Sequence, residues 1–317
     1  MAVYTQVSAE ALARFLQRYD VGELVSAKGI AEGVENSNYL VDTTRGRFIL
    51  TLYEKRVELA DLPFFFAMID ALADAGNPVP RALPDAQGTV IQTLEGRPAC
   101  LIEFLSGVSV SHPTPAQARA AGQALGAMHA TLTGFAPVRD NSMGVAAWPR
   151  LFADCAPELD TIQPGLRQQV DDALTDVVAR WPHDLRRGAI HADLFPDNVL
   201  MLGDRVTGLI DFYFACTDLI AYDVAITHSA WSFDAAGMPL DPAIGRALLA
   251  GYRDRFVLSE AEVAALPVLA QGACIRFLLT RAWDWINTPA DALVTRKDPL
   301  AYCRRLEWYA ANPQAFT

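Results

Sequence analysis

The sequence predicts an α+β protein with two lobes, a β-rich N-terminal lobe that holds an antiparallel sheet and a larger, mostly helical C-terminal lobe. Its 317 residues exceed the roughly 100 to 200 residues typical of one domain. Short runs rich in β-branched and aromatic residues occupy the first part of the chain, and apolar residues at helical spacing occupy the rest. We therefore place the N-terminal lobe at residues 1–104 and the C-terminal lobe at residues 105–317.

The N-terminal lobe is predicted to begin with a helix and to continue as strands. Ser8 can cap a helix whose apolar residues recur at helical spacing up to Tyr19. Glycines separate the runs that follow, as is typical of tight turns in antiparallel sheets. The predicted elements are strands at residues 27–30, 37–41 and 47–53, a helix from residue 61, and a hairpin of residues 89–93 and 99–104.

The C-terminal lobe is predicted to be helical except for one β-containing segment. Pro115 and Pro164 each mark the start of a helix, because proline suits the first helical turn. Between residues 188 and 210 the β pattern returns, and Gly203-Asp204 predicts the turn of a hairpin. The remainder of the chain has helical spacing up to the C-terminus.

Composition disfavours several classes of protein. The sum of 26 basic and 37 acidic residues gives a net charge of −11, so the surface as a whole repels nucleic acids and anionic membranes. Five scattered cysteines without a C-x-x-C pair indicate reduced thiols rather than a disulfide framework or a zinc site. The N-terminus lacks a signal-peptide pattern, and no uninterrupted apolar run approaches ~18 residues. We expect a cytoplasmic protein with a small-molecule partner, no nucleic-acid or membrane partner, and no indicated oligomeric state.

The stretch from residue 190 to residue 215 contains the most informative polar residues. It places Asp193 and Asn198 in a loop before the predicted hairpin and Asp211 directly after it. Phosphoryl transfer needs a carboxylate that orients the attacking hydroxyl, and oxygen ligands for Mg²⁺. We interpret Asp193 as the catalytic carboxylate and Asn198 and Asp211 as metal ligands. The alternative is that His191 and Asp193 form a turn pair or half of a metal site, with Asp197-Asn198 capping a turn and Asp211 capping the next element.

The motifs HADLFPDN (residues 191–198) and IDFYFA (residues 210–215) resemble those of the aminoglycoside phosphotransferase and choline kinase branch of the protein-kinase-like superfamily. The resemblance implies a kinase-like two-lobed fold with ATP and Mg²⁺ as cofactors. It also implies that His191 braces the loop, and that Asp223 in DLIAYDVA supports the catalytic loop from a distance. The alternative for Asp223 is a carboxylate favoured by the dipole at a helix N-terminus.

In this family the N-terminal lobe covers the nucleotide. The segment from Gly29 to Thr43 could bend over the phosphates, with backbone amides and the side chains of Ser37 and Asn38 as donors. The segment CLIEFLSG fits the connector between lobes, where backbone groups from Glu103 to Leu105 would bond the adenine edge.

The strand RFILTLYEKR departs from the family pattern. Related proteins carry a lysine or arginine in its middle to hold the α- and β-phosphates, but here Thr51 takes that place. Either Lys55 or Arg56 reaches back to the phosphates, or the loop and the metal hold them alone. The alternative is that Lys55 and Arg56 lie at a solvated strand end and do not contact the phosphates.

Beyond the catalytic loop, stretches in both lobes resemble the homoserine kinases built on this fold. They include YDVGELVSAKGIAEGVENSNYLV, RFILTLYEKRVELADLPFF, GLIDFYFACTDLIAYDVAI and RFLLTRAWDW. The resemblance implies transfer of the ATP γ-phosphoryl group to the side-chain hydroxyl of L-homoserine, a step of threonine biosynthesis.

Such a substrate carries both a carboxylate and an ammonium group. A guanidinium is the natural partner of the carboxylate and an acidic side chain that of the ammonium, so Arg276, Arg281 and Asp284 are the candidate substrate contacts. A quaternary ammonium would instead be held by cation–π contacts, for which the candidates are Trp231, Trp283 and Trp285. The alternative is that the three tryptophans are core residues and the two arginines are solvated.

Two other functions stay open from the sequence. The chain could be another kinase of the same fold that acts on choline, ethanolamine, an aminoglycoside or a sugar. It could also bind a nucleotide without transferring phosphate, as the missing strand lysine suggests. The presence of Asp193, Asn198 and Asp211 together argues against that second function.

Overall fold

The chain divides into two compact units, Met1–Ser106 and Gly107–Thr317. Its structure is a computed structural model, which describes residues 4–30, 36–54, 58–288 and 296–316.

The first unit contains an antiparallel sheet with two helices. In the described residues the strand order is β1-β2-β3-β5-β4, and every neighbouring pair is antiparallel. The elements are α1 (Ala9–Leu16), β1 (Leu24–Gly29), β2 (Asn36–Thr43), β3 (Gly46–Tyr53), α2 (Leu62–Asp74), β4 (Gln92–Leu94) and β5 (Arg97–Glu103).

The core of this unit lies between α1 and the sheet. Ser8 caps α1 through a bond from the Ala11 amide at 3.1 Å, and the apolar face of the helix is buried. It meets Val41 and Leu50, both fully buried, on the central strands. The predicted first helix, sheet and hairpin are confirmed, with ends shifted by a few residues.

Within its described residues, the second unit is mostly helical and contains two small antiparallel sheets. One pairs β6 with β9 and the other pairs β7 with β8. The elements are α3 (Pro115–Thr131), α4 (Trp148–Cys155), α5 (Leu159–Ile162), α6 (Leu166–Ala179), β6 (Arg187–Ile190), β7 (Val199–Leu202), β8 (Arg205–Leu209), β9 (Cys216–Leu219), α7 (Ile220–Trp231), α8 (Pro242–Arg253), α9 (Glu260–Asn287) and α10 (Leu300–Ala311).

Two features of this unit differ from the sequence prediction. The helix α6 begins at Leu166 and not at Pro164, because Gly165 adopts a left-handed φ of 80° and forms its N-cap. The segment Cys216–Leu219 is a strand and not a helix, and it pairs with β6. Four residues are too few for a periodic pattern, and the partner strand lies far away in sequence.

Close packing fixes the helices that surround the catalytic loop. A Cβ added to Gly122 of α3 would lie 2.0 Å from the Leu248 carbonyl oxygen, and one on Gly251 of α8 would lie 2.0 Å from the Arg119 carbonyl oxygen. Only glycine allows α3 and α8 to approach this closely. One helix in the described part of the chain, α9, is long and apolar enough to cross a bilayer, yet 67% of its apolar window is buried inside the protein.

Candidate active site

The catalytic loop, residues 191–198, connects β6 to β7. It ends in a short 3-10 turn, Pro196–Asn198, and the Asn198 side chain folds back on the loop. Its Nδ2 donates to the Asp193 main-chain carbonyl at 2.7 Å and to Asp193 Oδ2 at 3.2 Å. The loop therefore brings Asp193 and Asn198 into contact, and the amide oxygen is the atom of Asn198 that can bind a cation.

Asp211 reaches the same end of the β7–β8 hairpin from the other strand. Val199 pairs with Leu209, and the Ile210 amide donates to the Asn198 main-chain carbonyl at 3.0 Å. Asp211 itself adopts a left-handed φ of 65°, which aspartate tolerates better than most residues. Asn198 and Asp211 thus bracket the open end of one hairpin.

These side chains fit Mg²⁺. Amide and carboxylate oxygens are the hard donors that this ion prefers, and at phosphate sites it takes few protein ligands because phosphates and water supply the rest. Among the residues that the structure describes, no group of three or more His, Cys, Asp and Glu side chains could hold a metal ion. The Asn198 amide oxygen and the Asp211 carboxylate are two such ligands, and phosphates and water would supply the rest.

The side chain of His191, the first residue of the loop, is fully buried. Its Nε2 lies 3.1 Å from the Ile210 carbonyl oxygen, and its ring packs against Phe212 with centroids 4.7 Å apart. Burial lowers the pKa of His191, so the imidazole is neutral and Nε2 can donate to that carbonyl. These contacts tie the catalytic loop to Ile210 and Phe212, on either side of Asp211, and the bracing role of His191 stays a prediction.

Asp223, near the start of α7, binds the backbone of the catalytic loop. Its two carboxylate oxygens accept hydrogen bonds from the main-chain amides of His191 and Ala192, both at 2.8 Å. Burial alone would raise the pKa of Asp223, but the hydrogen bonds from His129 and from the His191 amide hold it below its ordinary value. The ionised carboxylate therefore binds two successive amides of the loop, and its support of the catalytic loop during the reaction stays a prediction.

His129 and Tyr252 complete this buried network, and neither residue is among those predicted from the sequence. His129 Nε2 lies 3.0 Å from Asp223 Oδ2, and His129 Nδ1 lies 2.8 Å from the Tyr252 hydroxyl. An ionised Asp223 accepts a hydrogen bond from His129 Nε2–H, and Nδ1 makes the hydrogen bond with the Tyr252 hydroxyl. His129 follows the apolar Met128 on the buried side of α3, and nothing in its local sequence distinguishes it from a core residue.

Ala192 is held in a left-handed conformation, with φ of 61°. Its amide donates to Asp223, and its carbonyl accepts from the Arg276 guanidinium. Arg276 is only 2% exposed and lies over the rings of Phe277 and Phe214, at 4.4 and 5.3 Å. This placement differs from the substrate contact expected for Arg276, because its guanidinium is directed at the loop backbone.

We expect Arg276→Met to loosen the loop. The Ala192 carbonyl would lose a charged donor inside the protein, so the free energy of unfolding should fall by about 1.5 to 3 kcal/mol in urea titrations. Turnover should fall for every acceptor, with or without a carboxylate. Arg180→Met, which removes an exposed guanidinium that is ion-paired with Asp176, serves as the control. A loss confined to acceptors that carry a carboxylate would instead make Arg276 a substrate contact.

Arg281 lies further along α9 and is half-buried. Its guanidinium is 4.5 Å from the ring centroid of Tyr302, and Nη1 donates to the Asp298 carbonyl oxygen at 3.4 Å. Burial lowers the pKa of Arg281, while the charge of Asp193 is close enough to act in the opposite direction. Asp284, also half-buried, follows at a spacing of three residues, which places both side chains on neighbouring positions of the helix surface.

The three candidate tryptophans are placed differently from one another. Trp231 is fully buried, and its indole N–H donates to the Leu194 carbonyl of the catalytic loop at 3.0 Å. Trp283 is 43% exposed, and Trp285 lies 5.8 Å from the Arg296 guanidinium. These positions do not form one aromatic cage, and Trp231 supports the loop.

In the first unit, Ser37 is placed differently from the phosphate contact expected. It is fully buried, and its hydroxyl accepts from the Tyr4 amide at 2.8 Å and donates to Glu54 at 2.6 Å. Asn38 lies on the other face of β2, where its Oδ1 accepts from the Thr51 hydroxyl at 2.7 Å. Thr51, the residue expected at the position of the family's lysine, is therefore a buried partner of Asn38.

The prediction that backbone groups from Glu103 to Leu105 bond the adenine edge is changed for Glu103. The Glu103 amide donates to the Arg81 carbonyl at 2.9 Å, and its carboxylate accepts from the Arg81 amide at 3.0 Å. The Glu103 amide is therefore already used inside the unit, and Leu105 stays the predicted adenine contact. Lys55 lies outside the described residues.

Comparisons with known proteins agree with this geometry. The phosphotransferase enzyme family matches residues 26–260. The homoserine kinase of Gluconacetobacter diazotrophicus is 53% identical over 98% of this chain and 97% of its own length. That of Methylorubrum populi is 53% identical over 99% and 98% of the two chains.

A solved structure with the same fold is that of a microcompartment-associated aminopropanol kinase. It has a TM-score of 0.69 at 21% identity and covers 98% of each chain. The kinase-like fold expected from HADLFPDN and IDFYFA is thereby confirmed. The chain belongs to the phosphotransferase enzyme family and, within it, to the homoserine kinases.

Proposed function

We propose that the protein transfers the γ-phosphoryl group of ATP to the side-chain hydroxyl of L-homoserine, giving O-phospho-L-homoserine and ADP in the cytoplasm. A bond forms between the hydroxyl oxygen and the γ-phosphorus, and the bond to the β,γ-bridging oxygen breaks. The hydroxyl proton passes to a carboxylate of the protein. The names of the relatives that match nearly the whole chain support homoserine as the acceptor.

The observation that carries the proposal is a cluster of arginines near the catalytic loop. Arg276, Arg281 and Arg305 donate to main-chain carbonyl oxygens of Ala192, Asp298, Ser229 and Asp234. These acceptors carry no net charge, and the two carboxylates whose charges act on Arg281, those of Asp193 and Asp298, are fewer than the three guanidinium groups, so the cluster keeps a net positive charge. Such surroundings favour an anionic group on the acceptor and disfavour a polycationic aminoglycoside.

In this proposal Asp193 acts on the homoserine hydroxyl. The hydrogen bonds from Asn198 hold its carboxylate and its main-chain carbonyl in the loop. Because the transition state of phosphoryl transfer is loose, alignment of the attacking oxygen contributes more than early removal of its proton.

Asn198 and Asp211 would hold the metal at the open end of the hairpin. When bound there, Mg²⁺ supplies positive charge that offsets the charge of the phosphates. The backbone of Leu105 would bond the adenine edge, and Asn38, linked to Thr51, is the remaining side-chain candidate for the phosphates. Lys55 keeps its proposed role beside the phosphates.

Arg281 would bind the homoserine carboxylate, and Asp284 its ammonium. The proximity of the Arg281 and Asp193 charges supports this assignment, because the hydroxyl and the carboxylate belong to one small molecule. Arg276 would affect the substrate only indirectly, through its hydrogen bond to the Ala192 carbonyl of the catalytic loop.

A coupled ADP-release assay with Mg²⁺ tests the proposal. The acceptors are L-homoserine, 3-amino-1-propanol, choline, ethanolamine and kanamycin, and 3-amino-1-propanol is homoserine without its carboxylate. We expect kcat/KM for L-homoserine to exceed that for 3-amino-1-propanol by roughly 10²-fold, because a charged hydrogen-bond pair is lost with the carboxylate. A higher kcat/KM for choline or kanamycin would refute the proposal.

A further inference from the structure

The side chain of Tyr302, on α10, is fully buried beside the arginine cluster. Its ring stacks on Phe277, with centroids 5.1 Å apart and planes at 26°. The guanidinium groups of Arg281 and Arg305 lie 4.5 and 4.4 Å from its ring centroid. Three neighbours therefore fix the position of the ring.

The hydroxyl of Tyr302 has no hydrogen-bond partner among the residues that the structure describes. A buried phenol normally finds such a partner, because leaving a polar atom unsatisfied inside a protein is costly. The hydroxyl is therefore a donor in need of an acceptor that the described side chains and backbone do not supply.

Packing connects this phenol to the reacting end of the site. Phe277, the stacking partner of Tyr302, also meets Phe195 of the catalytic loop edge to face, with centroids 5.0 Å apart. Phe195 follows Asp193 by two residues. Burial raises the pKa of Tyr302, and Arg305, Arg281 and Asp193 all act on it, so the phenol is protonated and lies within the field of these charges.

We propose that the Tyr302 hydroxyl, beside Arg281, donates a hydrogen bond to the carboxylate of the amino-acid acceptor and is a specificity-determining residue of the enzyme. The assignment rests on the proposed function. Arg281 supplies the charge and Tyr302 a second, directional donor, which an amino alcohol without a carboxylate cannot use. The unsatisfied hydroxyl of the free enzyme then becomes satisfied only with the correct class of substrate.

Tyr302→Phe tests this assignment, because it keeps the ring and its three neighbours and removes only the hydroxyl. We expect the KM for L-homoserine to rise roughly tenfold with kcat little changed, as for the loss of one hydrogen bond to a charged group. The KM for ATP and the kcat/KM for 3-amino-1-propanol should stay at wild-type values.

Tyr222→Phe is the matched control. Tyr222 is also fully buried with a hydroxyl that lacks a partner in the described residues, but its ring packs against Trp148 and Trp181. It should leave the preference for homoserine unchanged.

Two outcomes would overturn the role of Tyr302. Equal losses with homoserine and 3-amino-1-propanol would show that the hydroxyl serves packing, and unchanged kinetics with both would show that it does not meet the substrate. Failure of the proposed function can be distinguished from these two outcomes, because the wild-type protein would then itself show no preference for homoserine over the other acceptors.

Discussion

Asp193→Asn is expected to lower kcat by roughly 10²-fold or more, while the KM values for ATP and homoserine change little. Asparagine keeps the size and the hydrogen bond of the loop but cannot accept the hydroxyl proton. It also removes the negative charge that orients the attacking group. Steady-state kinetics, with far-UV circular dichroism as the check of folding, measures the effect.

Asp197→Asn is the control for this variant, because Asp197 lies in the same loop and is exposed. This variant also converts an aspartate to an asparagine, four residues after Asp193, and should retain wild-type kcat. If Asp193→Asn folds normally and keeps more than about a tenth of wild-type kcat when chemistry limits turnover, Asp193 has no part in the reaction.

Asp211→Asn is expected to reduce turnover by about 10² to 10³-fold at saturating Mg²⁺, since a metal that stabilises transition-state charge contributes several kcal/mol. Asparagine is chosen over alanine because residue 211 has a left-handed φ of 65°, which asparagine accepts at little cost. The loss of turnover then measures the removal of a metal ligand and not a change in backbone conformation. The measurement is kcat as a function of Mg²⁺ concentration.

Asp204→Asn changes an exposed carboxylate at the other end of the same hairpin and should leave that titration unchanged. Near-native kcat for Asp211→Asn at saturating Mg²⁺ would mean that the metal is held elsewhere.

The parts of the fold and site that the sequence predicts are those encoded locally. Ser8 and Pro115 mark helix starts through capping and proline geometry, and Gly203-Asp204 marks a hairpin turn. Asp193, Asn198 and Asp211 surround one hairpin, so their spacing along the chain already implies their proximity.

The supporting network could not be predicted in this way. His129 lies 94 residues from Asp223 in sequence, and Arg276 lies 84 residues from Ala192. Both sit in helices whose buried faces look like ordinary core. Their polar contacts depend on the packing of α3, α7 and α9, which no local pattern specifies.

The placement of Ser37 was accessible from the sequence but was missed. Side chains alternate between faces along a strand, so Ser37, Tyr39 and Val41 share one face of β2. Tyr39 and Val41 are core residues, and Ser37 is buried with them. The alternation excludes Ser37 from the face that Asn38 occupies.

Transfer of phosphate to the homoserine oxygen is the central claim, and ³¹P NMR with L-homoserine labelled with ¹⁸O in its hydroxyl tests it directly. The reaction contains the wild-type protein, ATP and Mg²⁺. We expect a phosphate ester whose resonance carries the isotope shift of one bridging ¹⁸O, formed in equal amount with ADP, and roughly 10²-fold less ester with Asp193→Asn over the same time. ADP accompanied only by inorganic phosphate, or an ester without the label, would contradict the account.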